Sequence, residues 1–125
     1  MNMNTAGYNA YKKTQVQTAD QGALILMCYD GAITFIKKAK KAHSENNPAL
    51  FSTFLNKAQN ILWELLSSLN YDAGEIAYNL ESLYNYMIRR IVDADYHSTV
   101  APADEVLTYL NDLRESWVKI TKKSS

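Results

Sequence analysis

Apolar side chains recur along this chain at spacings of three and four, and no segment alternates polar and apolar long enough to suggest a strand. Four stretches carry the pattern. In the first, Leu24, Cys28, Gly31, Phe35, Ala39 and Ala42 form one stripe, while Ile25, Tyr29, Ile33 and Ile36 form a second. At about 100° per residue the second stripe lies roughly a quarter to half a turn from the first, so this helix is apolar around most of its circumference. Thr18 with Gln21 reads as a capping box, with Asp20 as a competing cap, and predicts a start near residue 19. Lysines 37, 38, 40 and 41 fall in the last turns, where cations oppose the negative end of the helix dipole.

The break at 44–50 places Asn47 as a cap and Pro48 at a first helical position. The second helix then has a broad stripe of Leu50, Phe51, Phe54, Leu55, Ala58, Ile61, Leu62, Leu65, Leu66 and Leu69, which Trp63 widens. Residues 70–74, reading NYDAG, end it. Ile76, Ala77, Leu80, Leu83, Tyr84, Met87, Ile88 and Ile91 are expected to face inward from a third helix. Pro102 opens a fourth, with Val106, Leu110, Leu113 and Trp117 on its seam and fraying expected after it.

Helices of roughly 20 residues would each run about 30 Å, and short connections make sequence neighbours antiparallel. The pattern therefore predicts an all-α, up-down-up-down four-helix bundle over 18–122. Residues 1–17 are left as an N-terminal arm or short cap helix, and 123–125 as a disordered tail.

Composition narrows the function classes. The chain has 125 residues, 47% of them apolar, enough for one domain with its own core. Thirteen basic residues balance thirteen acidic ones, which speaks against a general nucleic-acid or membrane-surface role. The charges are uneven: residues 1–45 hold six lysines and three acids. A single Cys28 excludes an internal disulfide and points to a reducing compartment. The N-terminal sequence lacks the pattern of a secretory signal, and no apolar run approaches the roughly 20 residues of a bilayer span. A cytoplasmic domain without membrane insertion is expected.

No catalytic constellation emerges. Di-metal bundles use Glu-x-x-His pairs on facing helices, and this chain has none; His43 and His97 both fall near helix ends. Cys28 sits in an apolar run with no histidine nearby in sequence, and no glycine-rich loop could cradle a phosphate. The expectation is a non-enzyme with no metal and no cofactor.

What remains is surplus apolar surface. The stripe of Ile25, Tyr29 and Ile33, with Tyr8, Tyr11 and Val16 in the arm above it, is the expected partner surface, and Ile61, Leu65 and Leu69 are candidates for a neighbouring groove. The plain alternatives are that the arm folds back over the stripe, and that the three residues of the second helix are simply core. Nine tyrosines against three phenylalanines suit a surface that is apolar yet partly wet. A homodimer could use the same patch, so the free protein is expected to be a monomer or a weak homodimer. A small-molecule bundle would need buried polar groups, which the inward stripes lack.

Several stretches together resemble the flagellin-specific export chaperone family, FliS: AYKKTQVQTA at 10–19, LILMCYDGAI at 24–33, KAQNILWELLSSLN at 57–70, NLESLYNYMIRRI at 79–91 and LRESW at 113–117. They cover almost the whole chain. The resemblance implies a cytoplasmic helical bundle that binds the C-terminal segment of flagellin, prevents premature polymerisation and supports delivery to the flagellar type III export apparatus. It also implies a client that is disordered when free and wraps the bundle, and an arm able to occupy part of the same surface and move aside. Export-gate components or flagellar regulators are further partners of such a protein. Position by position, Tyr11 matches the family's N-terminal tyrosine, Thr18 and Ala19 its Thr-Ala, and Tyr29, Asp30 and Gly31 its Leu-Tyr-Asp-Gly signature. Two departures are Asp20-Gln21, where the family commonly has a proline, and Cys28, where leucine is usual.

Overall fold

Helix boundaries follow local chemistry. In the computed structural model, which describes residues 21–124, the elements are α1 (Gln21–Ser44), α2 (Pro48–Ser67), a 3-10 turn (Tyr71–Ala73), α3 (Glu75–His97) and α4 (Ala101–Ser124). Residues 1–20 lie outside the description, and with them the capping box and the expected arm. Asn47 caps α2 as expected: its Oδ1 accepts the Leu50 N–H at 3.1 Å, with Pro48 in the first turn. Asn70 caps the 3-10 turn, accepting the Asp72 N–H at 3.0 Å. Gly74 then takes φ of +83°, a conformation a side chain would strain, although nothing crowds the position itself. Helix α4 continues through Ser124, across residues expected to fray.

The four helices close into a ring in which α1 packs on α2 and α4, and α3 on α2 and α4. Pairings fix every seam as antiparallel. Between α1 and α2, Gly31 faces Ile61 and His43 meets Phe51. Between α1 and α4, Asp30 pairs with Arg114 and Lys40 with Asp104 at 2.6 Å. Between α3 and α4, Tyr86 meets Tyr109, and Arg90 Nε stands 3.5 Å from Glu105 Oε1, an ion pair too long for a hydrogen bond. This is the expected up-down-up-down bundle.

A core of Ile36, Leu55, Leu62, Met87, Ile91, Val106 and Leu110, with Tyr29 and Tyr84, fills the centre. Gly31 serves packing: a Cβ there would stand 3.1 Å from Ile61 Cδ1, so its absence lets α1 and α2 approach.

Over the first turns of α1 the two stripes exchange the roles that spacing alone suggested, while Ala39 and Ala42 of the first stripe are buried. Tyr29, Ile33 and Ile36 are 0%, 7% and 0% exposed, and they form the inward face. Leu24, Cys28, Gly31 and Phe35 are half-buried on the side toward α2, where Phe35 stacks on Phe54 at 6.3 Å. The ammonium groups of Lys38 and Lys57 lie over these rings and cover them with charge. The physical reason is that Tyr29 has a partner across the bundle that a shorter side chain could not reach. Its hydroxyl lies 2.6 Å from that of Tyr84 on the diagonally opposite helix. Two further residues expected to face inward do not: Leu50 and Ile76 are exposed, each in the first turn of its helix with no opposing helix to cover it.

Candidate functional site

At one end of the bundle the start of α1, the end of α2, the start of α3 and the last turns of α4 converge. The connection 68–74 is longer here than those at 45–47 and 98–100, so α2 and α3 separate before the chain returns. Between them opens an apolar cleft of about 220 Å3. Ile25 of α1 and Leu65 of α2 form one wall. Ile76, Ala77, Leu80 and Tyr84 of α3 form the other, Leu69 and Ala73 come from the connection, and Trp117 of α4 closes the side. Among the described residues no charged side chain lines it, and its polar contributions are Ser68 and Asn70, with the tyrosine and the indole.

The cleft's inner end carries a buried side-chain hydrogen bond between the diagonally opposite helices α1 and α3. Tyr29 and Tyr84 are both almost wholly buried. Burial pushes both phenols above the ordinary value of 10.0, because a phenolate would lose its water there. Both therefore stay neutral and able to donate at physiological pH.

The rim is apolar as well. Ile76 is 56% exposed, and beside it in sequence Tyr71 and Tyr78 pack ring to ring at 5.1 Å. The Tyr71 hydroxyl donates to Glu81, which holds that phenol above its usual range. On the far side of α2, Trp63 is half exposed over a shallow groove lined by Ser82, Asn85, Ile88 and Arg89.

The residues singled out in the sequence divide into three groups. Ile25, Leu65 and Leu69 come together at the cleft. Tyr29 and Ile33 are core; Tyr29 reaches the cleft only through Tyr84, while Ile61 serves the α1–α2 seam. Tyr8, Tyr11, Val16, Thr18 and Ala19 lie outside the described residues. Sequence reasoning assigned Tyr84, Leu80 and Trp117 to plain core and so missed them as cleft walls. Only Leu80, in the second turn after the long connection, carried a positional signal; Tyr84 stands in the middle of α3 and Trp117 on a helix that the connection does not join.

Among the described residues no group of three His, Cys, Asp or Glu side chains is placed to hold a metal, and no helix is long and apolar enough to cross a membrane. What the cleft can do is hold apolar side chains out of water.

The chain matches the family model described as "Flagellar protein FliS" over residues 3–124. The flagellar secretion chaperone FliS of Bacillus subtilis is 36% identical over 110 residues, covering 88% of this chain and 82% of that protein. That of Salmonella typhimurium is 33% identical over 126 residues, covering 96% and 93%. That of Vibrio cholerae is 30% identical over 116 residues, covering 89% and 85%.

Proposed function

The chain belongs to the FliS family of flagellar secretion chaperones, and on that premise we propose that it is a cytoplasmic export chaperone whose client is the C-terminal segment of flagellin. It binds that segment while it is unfolded, keeps it from polymerising and hands it on toward the flagellar type III export apparatus. The observation that carries this reading is the apolar cleft between the helix ends, with Ile25, Leu65 and Leu69 in its walls and Ile76 exposed on its rim. A flexible client brings few fixed polar groups, so its recognition has to rest on apolar burial, which is non-directional and tolerates many sequences. The residues of 1–20 singled out above, Tyr8, Tyr11, Val16, Thr18 and Ala19, belong to the same surface in this reading. Export-gate components or flagellar regulators are secondary partners.

Isothermal titration with a peptide covering the C-terminal segment of a flagellin from the same organism tests this. One-to-one binding, a negative heat-capacity change and helicity gained by the peptide are expected, the signature of folding coupled to apolar burial. A folded chaperone that gives no heat and no shift in gel filtration would overturn the client assignment. Tyr11→Ala is expected to weaken binding more than it lowers the melting temperature.

A further inference from the structure

Two neighbouring arginines in the middle of α3 have opposite surroundings. Arg90 meets two carboxylates, Asp93 at 3.3 Å and Glu105 at 3.5 Å. Arg89 is exposed and makes no ion pair among the described residues; its guanidinium lies over Tyr86, 6.0 Å from the ring centroid. An unpaired cation is ordinary on a helix surface, but this one stands between two shallow grooves of about 400 and 420 Å3 and, with Ile88, lines both. Trp63 of α2 walls the first, while Tyr86, Val92 and Asp93 line the second. Trp63 is 48% exposed, Val92 45% and Tyr96, one turn further on, 84%. Large apolar side chains thus face water around an uncompensated guanidinium. Trp, Tyr and Arg are the residue types that carry most of the energy at protein interfaces.

We propose that the outer face of α3 is a docking surface for a protein other than the client, and that it takes an amphipathic helix with one carboxylate set between bulky apolar side chains. Arg89 pairs with the carboxylate, and the flanking apolar groups cover Trp63 and Val92. A single acid fits where a run of anions does not, because Asp93 lines the second groove and repels a polyanion. A second copy docked through the same face does not fit either. Arg89 lies near the middle of the stripe from Tyr78 to Tyr96, so antiparallel self-pairing sets two guanidinium groups against each other. Residues 1–20 hold one acidic side chain, Asp20, and it is bonded to Gln21 at the start of α1, the helix diagonal to α3. Arg89 stands about 20 Å along α3 from Ile76 at the cleft rim, far enough for both surfaces to be occupied together. A directional ion pair suits a partner of fixed shape, whereas the cleft relies on apolar burial alone.

Two measurements on the full chain test this separately from the client assignment. The first titrates a pair of alanine-based helical peptides of about 18 residues by NMR, with Leu one turn on either side of a central Glu in one and of a central Gln in its twin. The Glu peptide is expected to bind the wild type about fivefold more tightly, the worth of one partly exposed ion pair, and to shift the Trp63 indole N–H signal. Arg89→Gln abolishes the preference and Arg89→Lys keeps part of it, with melting temperatures unchanged because the side chain is exposed. Equal affinity of the twins for the wild type, or no binding by either, overturns the proposal. Tighter binding of a single-stranded oligonucleotide than of the Glu peptide overturns it as well.

The second measurement separates the occupants. Arg89→Gln is expected to leave the affinity for the flagellin peptide unchanged, and the Glu peptide to bind the flagellin-loaded protein as it binds the free one. A loss of flagellin affinity in the variant, or competition between the two peptides, would make this face part of the client site and overturn the assignment to another protein. Sedimentation that shows a dimer weakened by Arg89→Gln would assign the face to a second copy and overturn it too. A flagellin peptide that does not bind the wild type refutes the client assignment, while the peptide twins still decide the role of Arg89.

Discussion

The two ends of the bundle are built on opposite principles. At the end formed by 45–47 and 98–100, four small residues, Ala39, Ala42, Ala94 and Ala103, are buried and let the helices close. Phe51 packs against His43, whose Nε2 lies 3.1 Å from the Ser98 carbonyl and ties α1 to the turn after α3, beside an open surface pocket of about 240 Å3. Asn47 caps α2 and the Ser98 residue ends α3 in a left-handed conformation. At the other end the alanines give way to Leu65, Leu69, Leu80, Ile76 and Trp117 around a longer connection, and the helices part. One end spends its residues on closure and the other on surface. The same apolar content yields stability when side chains are small and tied, and a binding site when they are large and unopposed.

The sharpest way to break this contrast is Phe51→Ala at the closed end. Truncating a buried phenylalanine is expected to cost about 3–5 kcal/mol in urea unfolding while leaving the peptide affinity of the remaining folded protein nearly unchanged. At the open end the balance reverses. Ile76→Ser should change stability by less than about 0.5 kcal/mol, since the side chain is already exposed, yet weaken the flagellin peptide about tenfold. Removing the α2 cap with Asn47→Ala should cost about 1 kcal/mol and again spare binding.

The smallest effect is a pH dependence confined to the open end. The Tyr29 and Tyr84 phenols are held above their ordinary value of 10.0 by burial, so the folded state disfavours their ionisation. Their contribution to stability is fully present below about pH 10 and is lost as pH climbs above it toward the raised folded values. Melting temperature should therefore be insensitive to these groups between pH 7 and 9 and fall beyond pH 10. The fall should be shallower when both tyrosines are replaced by Phe.

The breaks between helices were legible in the sequence because each is a local event. Asn47 with Pro48, Asn70 through Gly74 and Pro102 act on their own backbone, and each stands where spacing placed it. The four-helix architecture followed from these breaks and the stripes between them. The azimuth of α1 did not. Two apolar stripes share that helix, and periodicity gives their spacing but not the direction of the neighbours. Only the reach of Tyr29 to Tyr84 across the diagonal decides which faces inward. Half of the cleft was hidden for the same reason. Ile25, Leu65 and Leu69 could be named as surplus, but Trp117 and Tyr84 become walls only once four helix ends, far apart in sequence, splay around one connection.

The ring of helices has three seams between consecutive elements and one, α1 against α4, that joins residues as far apart as Asp30 and Arg114, 84 positions away. The three hairpin seams can form as soon as their two helices exist, with short loops to close. The fourth must wait for nearly the whole chain and carries the largest loop-closure entropy. Time therefore enters the architecture: during synthesis α1 emerges first, and its last flank stays uncovered until α4 arrives. The Asp30–Arg114 and Lys40–Asp104 pairs sit on that late seam. Both pairs can form only after α4 has been made.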